Sequence, residues 1–261
     1  MDLDLKDKVA LVTAAGRGIG RAVAHRLAAE AAVVALSSRS AAGVDATIAE
    51  LTPSAGTLCG HPADLADPDA TAGLVPEVVA EHGRLDIAVL NTPGPRIGAF
   101  LDTTDEDWAH AYDLLVRPVV RLARDAARQM VAQGGGSIVL LTSTWVRQPA
   151  PGGVLSAAMR SALSATAKAM ATELAPHGVR VTQVMPGATG TGRMEAILES
   201  KAAAHGTSRD AELAGVVADI PLGRWGAPEE IADVVAFLAS ERASFMTGSA
   251  VAVDGGAIRA V

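Results

Sequence analysis

Val9-Ala10-Leu11-Val12-Thr13-Ala14-Ala15-Gly16-Arg17-Gly18-Ile19-Gly20 is an apolar, β-prone run that passes directly into a glycine-spaced turn. A segment of helical spacing follows. Glycines at 16, 18 and 20 let the backbone turn sharply, approach a pyrophosphate closely, and aim the N–H groups of the next helix at its negative charge. Taken alone, such a turn is equally consistent with a tight corner that binds nothing. Its position decides the matter, because it opens the first unit of a long alternation of strands and helices.

Working outward from this turn, strands are expected near 8–13, 33–37, 57–61, 86–91, 136–142, 179–185 and 249–253. Ala-rich helices are expected near 18–30, 40–51, 68–82, 104–132, 154–176 and 228–239, each long enough for the crossover that parallel strands require. The pattern predicts an α/β chain: a Rossmann-like, doubly wound parallel sheet of about seven strands with helices on both faces. Residues 1–261 read as one domain, without internal repeats or a linker-like stretch. Segment 187–227 breaks the rhythm with glycine, alanine and charge. It follows the sixth strand, so it projects from the carboxyl edge of the sheet, and it is read as a mobile substrate-covering lid.

The chain has 261 residues, 49% hydrophobic and 20% charged, which supplies ample core for one domain. Cys59 is the single cysteine, so no intramolecular disulfide and no thiolate pair for zinc is available, and a reducing cytoplasmic compartment is expected. No apolar run approaches the roughly 18 residues of a membrane span, and the N-terminus is acidic, so membrane partners and secretion are disfavoured. A net charge of −7 with scattered Lys and Arg argues against nucleic acid. His25, His61, His82, His110, His177 and His205 show no metal-ligand spacing with another His, Cys or acid pair, so no metal is expected, and Cys59 reads as a small core residue.

Thr13-x3-Gly-x-Gly-x-Gly resembles the nucleotide loop of the short-chain dehydrogenase/reductases, with Ala14 where many members carry glycine. Asp64-Leu65 is similar to the family's adenine-contacting pair, and Asn91-Thr92-Pro93-Gly94 to its Asn-Asn-Ala-Gly segment. Pro186-Gly187 with Thr191 resembles the loop beside the nicotinamide, and Pro221-Leu222-Gly223-Arg224, Pro228-Glu229-Glu230-Ile231 and Val253-Asp254-Gly255-Gly256 resemble the C-terminal signature. The resemblance covers essentially the whole chain. It implies a small-molecule substrate, a homo-oligomer, and a cofactor held by Gly16, Arg17, Gly18, Ile19, Gly20, Ser38, Arg39, Asp64, Leu65, Asn91, Arg160, Pro186, Gly187 and Thr191. An acid at the end of the second strand would hydrogen-bond a free ribose hydroxyl and repel a 2′-phosphate, whereas this chain has Ser37-Ser38-Arg39. With Arg17 as a second cation, NADP(H) is favoured over NAD(H).

At the chemical end the resemblance breaks. Hydride-transferring members hold an Asn, a Ser, a Tyr and a Lys about the carbonyl, and the resemblance makes the Tyr the proton donor. Here Ser143 keeps the serine position, but Ser156 stands for the tyrosine, Arg160 for the lysine and Leu115 for the asparagine. A serine does not ionise near neutrality and an arginine does not shuttle protons, yet arginine supplies fixed charge and a hydrogen-bonding fork to ribose hydroxyls or an oxyanion. Ser143, Ser156 and Arg160 are therefore the candidate catalytic residues.

Tyr112, the sole tyrosine, reads as packed, Trp145 as a pocket wall, and Glu195, Glu199 and Lys201 as the solvated face of a lid helix. His205 is the only histidine in the lid. Three readings follow: an NADP(H)-dependent oxidoreductase with a non-standard acid, a redox-silent nucleotide binder, and non-redox chemistry as in halohydrin dehalogenases. The last is ranked lowest because the glycines persist here. An enoyl reductase site is disfavoured, since no tyrosine lies near Arg160. Helices near 104–132 and 154–176, with Ala157, Ala158, Ala162, Ala165 and Ala169, are the expected oligomer contacts.

Overall fold

The structure, a computed structural model, describes residues 2–51 and 55–259. In chain order it runs β1 (Val9–Val12), α1 (Gly18–Ala29), β2 (Val33–Ser38), α2 (Ala41–Glu50), β3 (Thr57–Pro62), α3 (Pro68–His82) and β4 (Ile87–Leu90). There follow α4 (Asp105–Leu115), α5 (Arg117–Gln133), β5 (Gly136–Leu141), α6 (Val154–Leu174), β6 (Val179–Pro186), α7 (Gly192–His205), α8 (Arg209–Ala218), α9 (Pro228–Ala239) and β7 (Ala250–Val253). The seven strands are parallel in the order β3-β2-β1-β4-β5-β6-β7. The strand order reverses direction between β1 and β4, and that switch point opens a crevice at the carboxyl ends of the strands.

The pleat of β1 sorts its side chains into two layers. Val9 and Leu11 pack with Leu74, Leu122 and Leu163 under α3, α5 and α6, whereas Ala10 and Val12 pack with Leu27 and Val235 under α1 and α9. Both faces of the sheet are covered, which is why the strands read as continuous apolar runs. On β6, Arg180 reaches the carbonyls of Leu238, Ala239 and Ser240, satisfying the carboxyl end of α9 with a cation.

One expectation is corrected. The single helix expected near 104–132 is two, broken at Val116, because Pro118 has no N–H to give the Leu114 carbonyl and its ring crowds that oxygen. Segment 187–227 carries two helices, α7 and α8. Along α6, Ala158, Ala162, Ala165 and Ala169 are exposed on one side, while Ala157 is buried against the body of the protein. No helix among the described residues is long and apolar enough to cross a membrane.

Candidate active site

The glycine turn is built by sterics. Ala14 takes φ +48° and Gly18 φ +56°, both in the left-handed region, where alanine pays for its Cβ. A Cβ on Gly20 would run into the Ala14 carbonyl and come 2.9 Å from Asn91 Nδ2, and one on Gly16 would come 2.6 Å from Ser38 Oγ. The Thr13 hydroxyl donates to the Asn91 carbonyl at 2.6 Å and accepts from the Asn91 N–H at 2.9 Å. Asn91 Nδ2 donates to the Ala14 carbonyl at 3.4 Å, so this side chain braces the turn as well as edging the crevice.

Helices α2, α3, α4, α7 and α8 are each capped by the side chain of Ser40, Asp67, Thr104, Thr191 or Ser208. Helix α1 is not: its N-cap, Arg17, makes no capping hydrogen bond, and no acid lies in its first turn. Its N–H groups are therefore left for an anion. At the end of β2, Ser37 is buried with a hydroxyl that lacks a partner, Ser38 is half-buried and Arg39 exposed. Asp64 accepts from the Ala66 N–H at 3.0 Å, while Leu65 is buried among Leu74 and Val75, so its side chain belongs to the core.

A cavity of about 580 Å³ lies where the carboxyl ends of β4, β5 and β6 meet α7 and α8. It brings together Ile19, Asn91, Ser143, Ser156, Arg160, Pro186, Gly187 and Thr191, while Gly16, Arg17, Gly18, Gly20, Ser38, Arg39, Asp64 and Leu65 lie outside its wall. A cavity of about 530 Å³ lies among Lys8, Asp86 and Gln133 at the amino ends of the strands, the edge where parallel α/β sheets do not bind ligands.

Ser143 Oγ accepts from the Trp145 N–H at 3.2 Å, and Trp145 packs against Gly153, so that its indole walls the cavity as expected. Ser156 lies in the first turn of α6, with Arg160 one turn on. The Arg160 guanidinium is buried. Its Nη1 donates to the Leu141 carbonyl at 2.8 Å, and Nη2 lies 3.4 Å from both Thr92 Oγ1 and the Pro93 carbonyl. Burial, then the nearby Arg193 charge, lowers its pKa to about 10, which still leaves it protonated at neutral pH. Part of the fork expected to face a ribose is thus spent stitching the ends of β4 and β5 together.

Arg193 is the residue that sequence reasoning missed. From the first turn of α7 it lies across Gly94, donating to the carbonyls of Gly94 at 3.1 Å and Pro95 at 2.6 Å. Burial, then Arg17, pulls its pKa below the ordinary arginine value. Arg17, Arg160 and Arg193 have no ion-pair partner among the described residues. The only signal in the sequence was its place two residues after Thr191.

Lys201 is exposed and also lines the cavity together with Glu212 and Asp219. Glu195 instead pairs with Arg209, at 2.6 and 2.9 Å, bracing α7 to α8. His205 pairs with Glu212 at 2.9 Å, outside the cavity wall. Tyr112, expected to be packed, is 48% exposed and also lies outside that wall, whereas Leu115 is fully buried.

A family model described as Enoyl-(Acyl carrier protein) reductase matches residues 13–257. An uncharacterized oxidoreductase of Methylorubrum extorquens is 37% identical over 253 residues, covering 97% of this chain and 98% of its own. Dehydrogenase/reductase SDR family member 4 of Oryctolagus cuniculus is 34% identical, covering 97% of this chain and 94% of its own. The chain belongs to the short-chain dehydrogenase/reductase family. The crystal structure of L-sorbose reductase from Gluconobacter frateurii, complexed with NADPH and L-sorbose, superposes with a TM-score of 0.94 at 30% identity over 100% of both chains.

A short-chain dehydrogenase/reductase is an oxidoreductase that works on a bound dinucleotide, and the nucleotide half of this one fits such a group. The left-handed turn at Ala14 and Gly18 and the uncapped start of α1, with Arg17 as its N-cap, have the features that suit a phosphate. No tyrosine lines the cavity, and the side chain of Leu115 is fully buried.

Proposed function

We propose that this protein is an NADP(H)-dependent oxidoreductase that interconverts a small carbonyl compound and its alcohol in a site without the usual phenol. The observation that carries the reading is the shared cavity, which Ser143, Ser156 and Arg160 line together with Ile19 and Thr191 from the nucleotide side. When bound, the dinucleotide supplies the hydride for the carbonyl carbon or accepts it from the alcohol. Ser143 and Ser156 hydrogen-bond the substrate oxygen and orient the carbonyl. Arg160 adds fixed positive charge beside the oxyanion and the ribose hydroxyls, worth more in a buried site than in water. The proton comes from water, from a substrate group or from Lys201, the ammonium that α7 contributes to the wall. Helices α7 and α8 act as the lid, excluding bulk water while substrate is bound.

Arg17 and Arg39, with no acid at the end of β2, support NADP(H) over NAD(H), as does the NADPH in the L-sorbose reductase complex. The departures at Leu115, Ser156 and Arg160 also favour a second reading, a redox-silent NADP(H) binder. Titrating NADPH into the protein by calorimetry, and following reduced-nicotinamide absorbance with a panel of ketones and ketoses, separates the two. Binding with slow oxidation in at least one arm supports the oxidoreductase, binding with none supports the silent protein, and absence of binding refutes both. The exposed alanines of α6 support a homo-oligomer formed by close helix packing, and a monomer by light scattering at micromolar concentration would refute it.

A further inference from the structure

On the far edge of the sheet from the lid helices, the chain gathers Cys59, His61, Glu81 and His82 into one cluster. Cys59 and His61 are two apart on edge strand β3, so their side chains leave the same face of the sheet. Glu81 and His82 end α3, the helix that packs over that face. Nineteen residues of chain separate the halves of the cluster, so no local spacing announces it.

One ligand atom from each of the four residues lies within 4.8 Å of the others. Cys59 Sγ is 3.2 Å from His82 Nε2, His82 Nε2 is 3.6 Å from Glu81 Oε1, and His61 Nε2 is 3.3 Å from Glu81 Oε2. Tetrahedral zinc with bonds of about 2.0–2.3 Å has ligand-to-ligand edges of about 3.3–3.8 Å; these three separations fall at or near that range, with Glu81 turning a different oxygen to each histidine. His61 is 93% buried by the complement of its 7% exposure, yet its Nε2 has no hydrogen-bond partner, because Glu81 is close but misaligned. On the other side of the ring, Glu77 Oε2 lies 3.7 Å from Nδ1, where a carboxylate commonly orients a ligating histidine.

We propose that Cys59, His61, Glu81 and His82 form a zinc-type divalent metal site, separate from the dinucleotide cavity, that pins β3 to the end of α3. One sulfur, two imidazole nitrogens and one carboxylate oxygen suit zinc or cobalt, not the hard, oxygen-preferring calcium or magnesium. The half-exposed Glu81 leaves the cluster open to an arriving ion. Burial, then the Glu81 charge, pushes the Cys59 thiol up to about 11, so binding must displace the thiol proton to solvent, and the cation then neutralises a thiolate and a carboxylate that otherwise repel. The competing account is a bare S–H···N hydrogen bond between Cys59 and His82, which needs no ion.

The test is titration of Co²⁺ into the chelator-treated full chain under reducing conditions, read by visible and near-ultraviolet absorption. We expect one Co²⁺ per chain, intense tetrahedral ligand-field bands, a thiolate-to-cobalt charge-transfer band, and displacement by Zn²⁺. Cys59→Ser should abolish the charge-transfer band, and Glu81→Gln, at an exposed carboxylate, should weaken Co²⁺ binding at least tenfold. A cooperative thermal unfolding transition certifies each variant as folded, independently of any nucleotide binding. A spectrum of octahedral cobalt only, a charge-transfer band that survives Cys59→Ser, or a loss short of tenfold in folded Glu81→Gln would overturn the proposal.

Discussion

Replacing Arg160 with methionine separates a grip on the cofactor from a role in holding the fold. Burial, then the nearby Arg193 charge, holds the guanidinium pKa well below the ordinary arginine value, at about 10. Each unit corresponds to about 1.4 kcal/mol, so the charged side chain costs the folded state about 3 kcal/mol at neutral pH, below both values. Against this stands the 2.8 Å bond to the Leu141 carbonyl, with the longer contacts to Thr92 and Pro93 adding little. A charged hydrogen bond contributes about 1.5–3 kcal/mol. The two effects nearly cancel, and methionine refills much of the volume as an unbranched apolar chain. Arg160→Met should therefore change unfolding stability in urea by no more than about 2 kcal/mol. Loss of a charge-assisted bond to the cofactor should raise the NADPH Kd by roughly tenfold to a hundredfold. Chemical denaturation and calorimetric titration on the same samples read both quantities. A variant that loses more than about 4 kcal/mol yet binds NADPH as the parent does would refute the reasoning and make Arg160 a purely structural cation.

The remaining predictions follow from the same geometry. Arg39→Asp should invert the preference for NADPH over NADH, because it exchanges an exposed phosphate partner for a repelling charge; unchanged relative affinities in parallel calorimetric titrations would count against a 2′-phosphate pocket. Ser156→Tyr should leave carbonyl reduction well below the roughly 10 s⁻¹ median of enzymes, since the phenol returns an acid while Arg160 and Leu115 stay, and the ring must fit a buried position at a strain of about 1–3 kcal/mol. If the parent protein itself reaches that rate, a substitute acid exists, and a collapse of kcat in Lys201→Met would identify it. Ala14→Gly should raise the stability by up to about 1 kcal/mol, because relief of left-handed strain at φ +48° exceeds the entropy cost of glycine; a lower urea midpoint would refute this.

The alternation of apolar strands with Ala-rich helices placed every strand of the sheet within one or two residues, because strand and crossover preferences are local and both faces of a parallel sheet must be apolar. The nucleotide turn was equally legible, since its glycines answer to steric demands within a few residues of chain: the positive φ at Gly18 and the close approach of Gly20 to Ala14. That positions 156 and 115 hold a serine and a leucine is likewise a matter of residue identity alone. Pro118 was a local signal too, but the helical spacing on either side of it outweighed the break it causes at Val116. Only the tertiary structure decided that Arg193 lies across Gly94, that Lys201 turns to the cavity, that Tyr112 faces out, and that Cys59 and His61 meet Glu81 and His82. Each of these depends on how a helix rotates and docks against a sheet whose strand order is not the chain order. That rotation is set by packing of side chains distant in sequence, and no residue carries it in its own local preference.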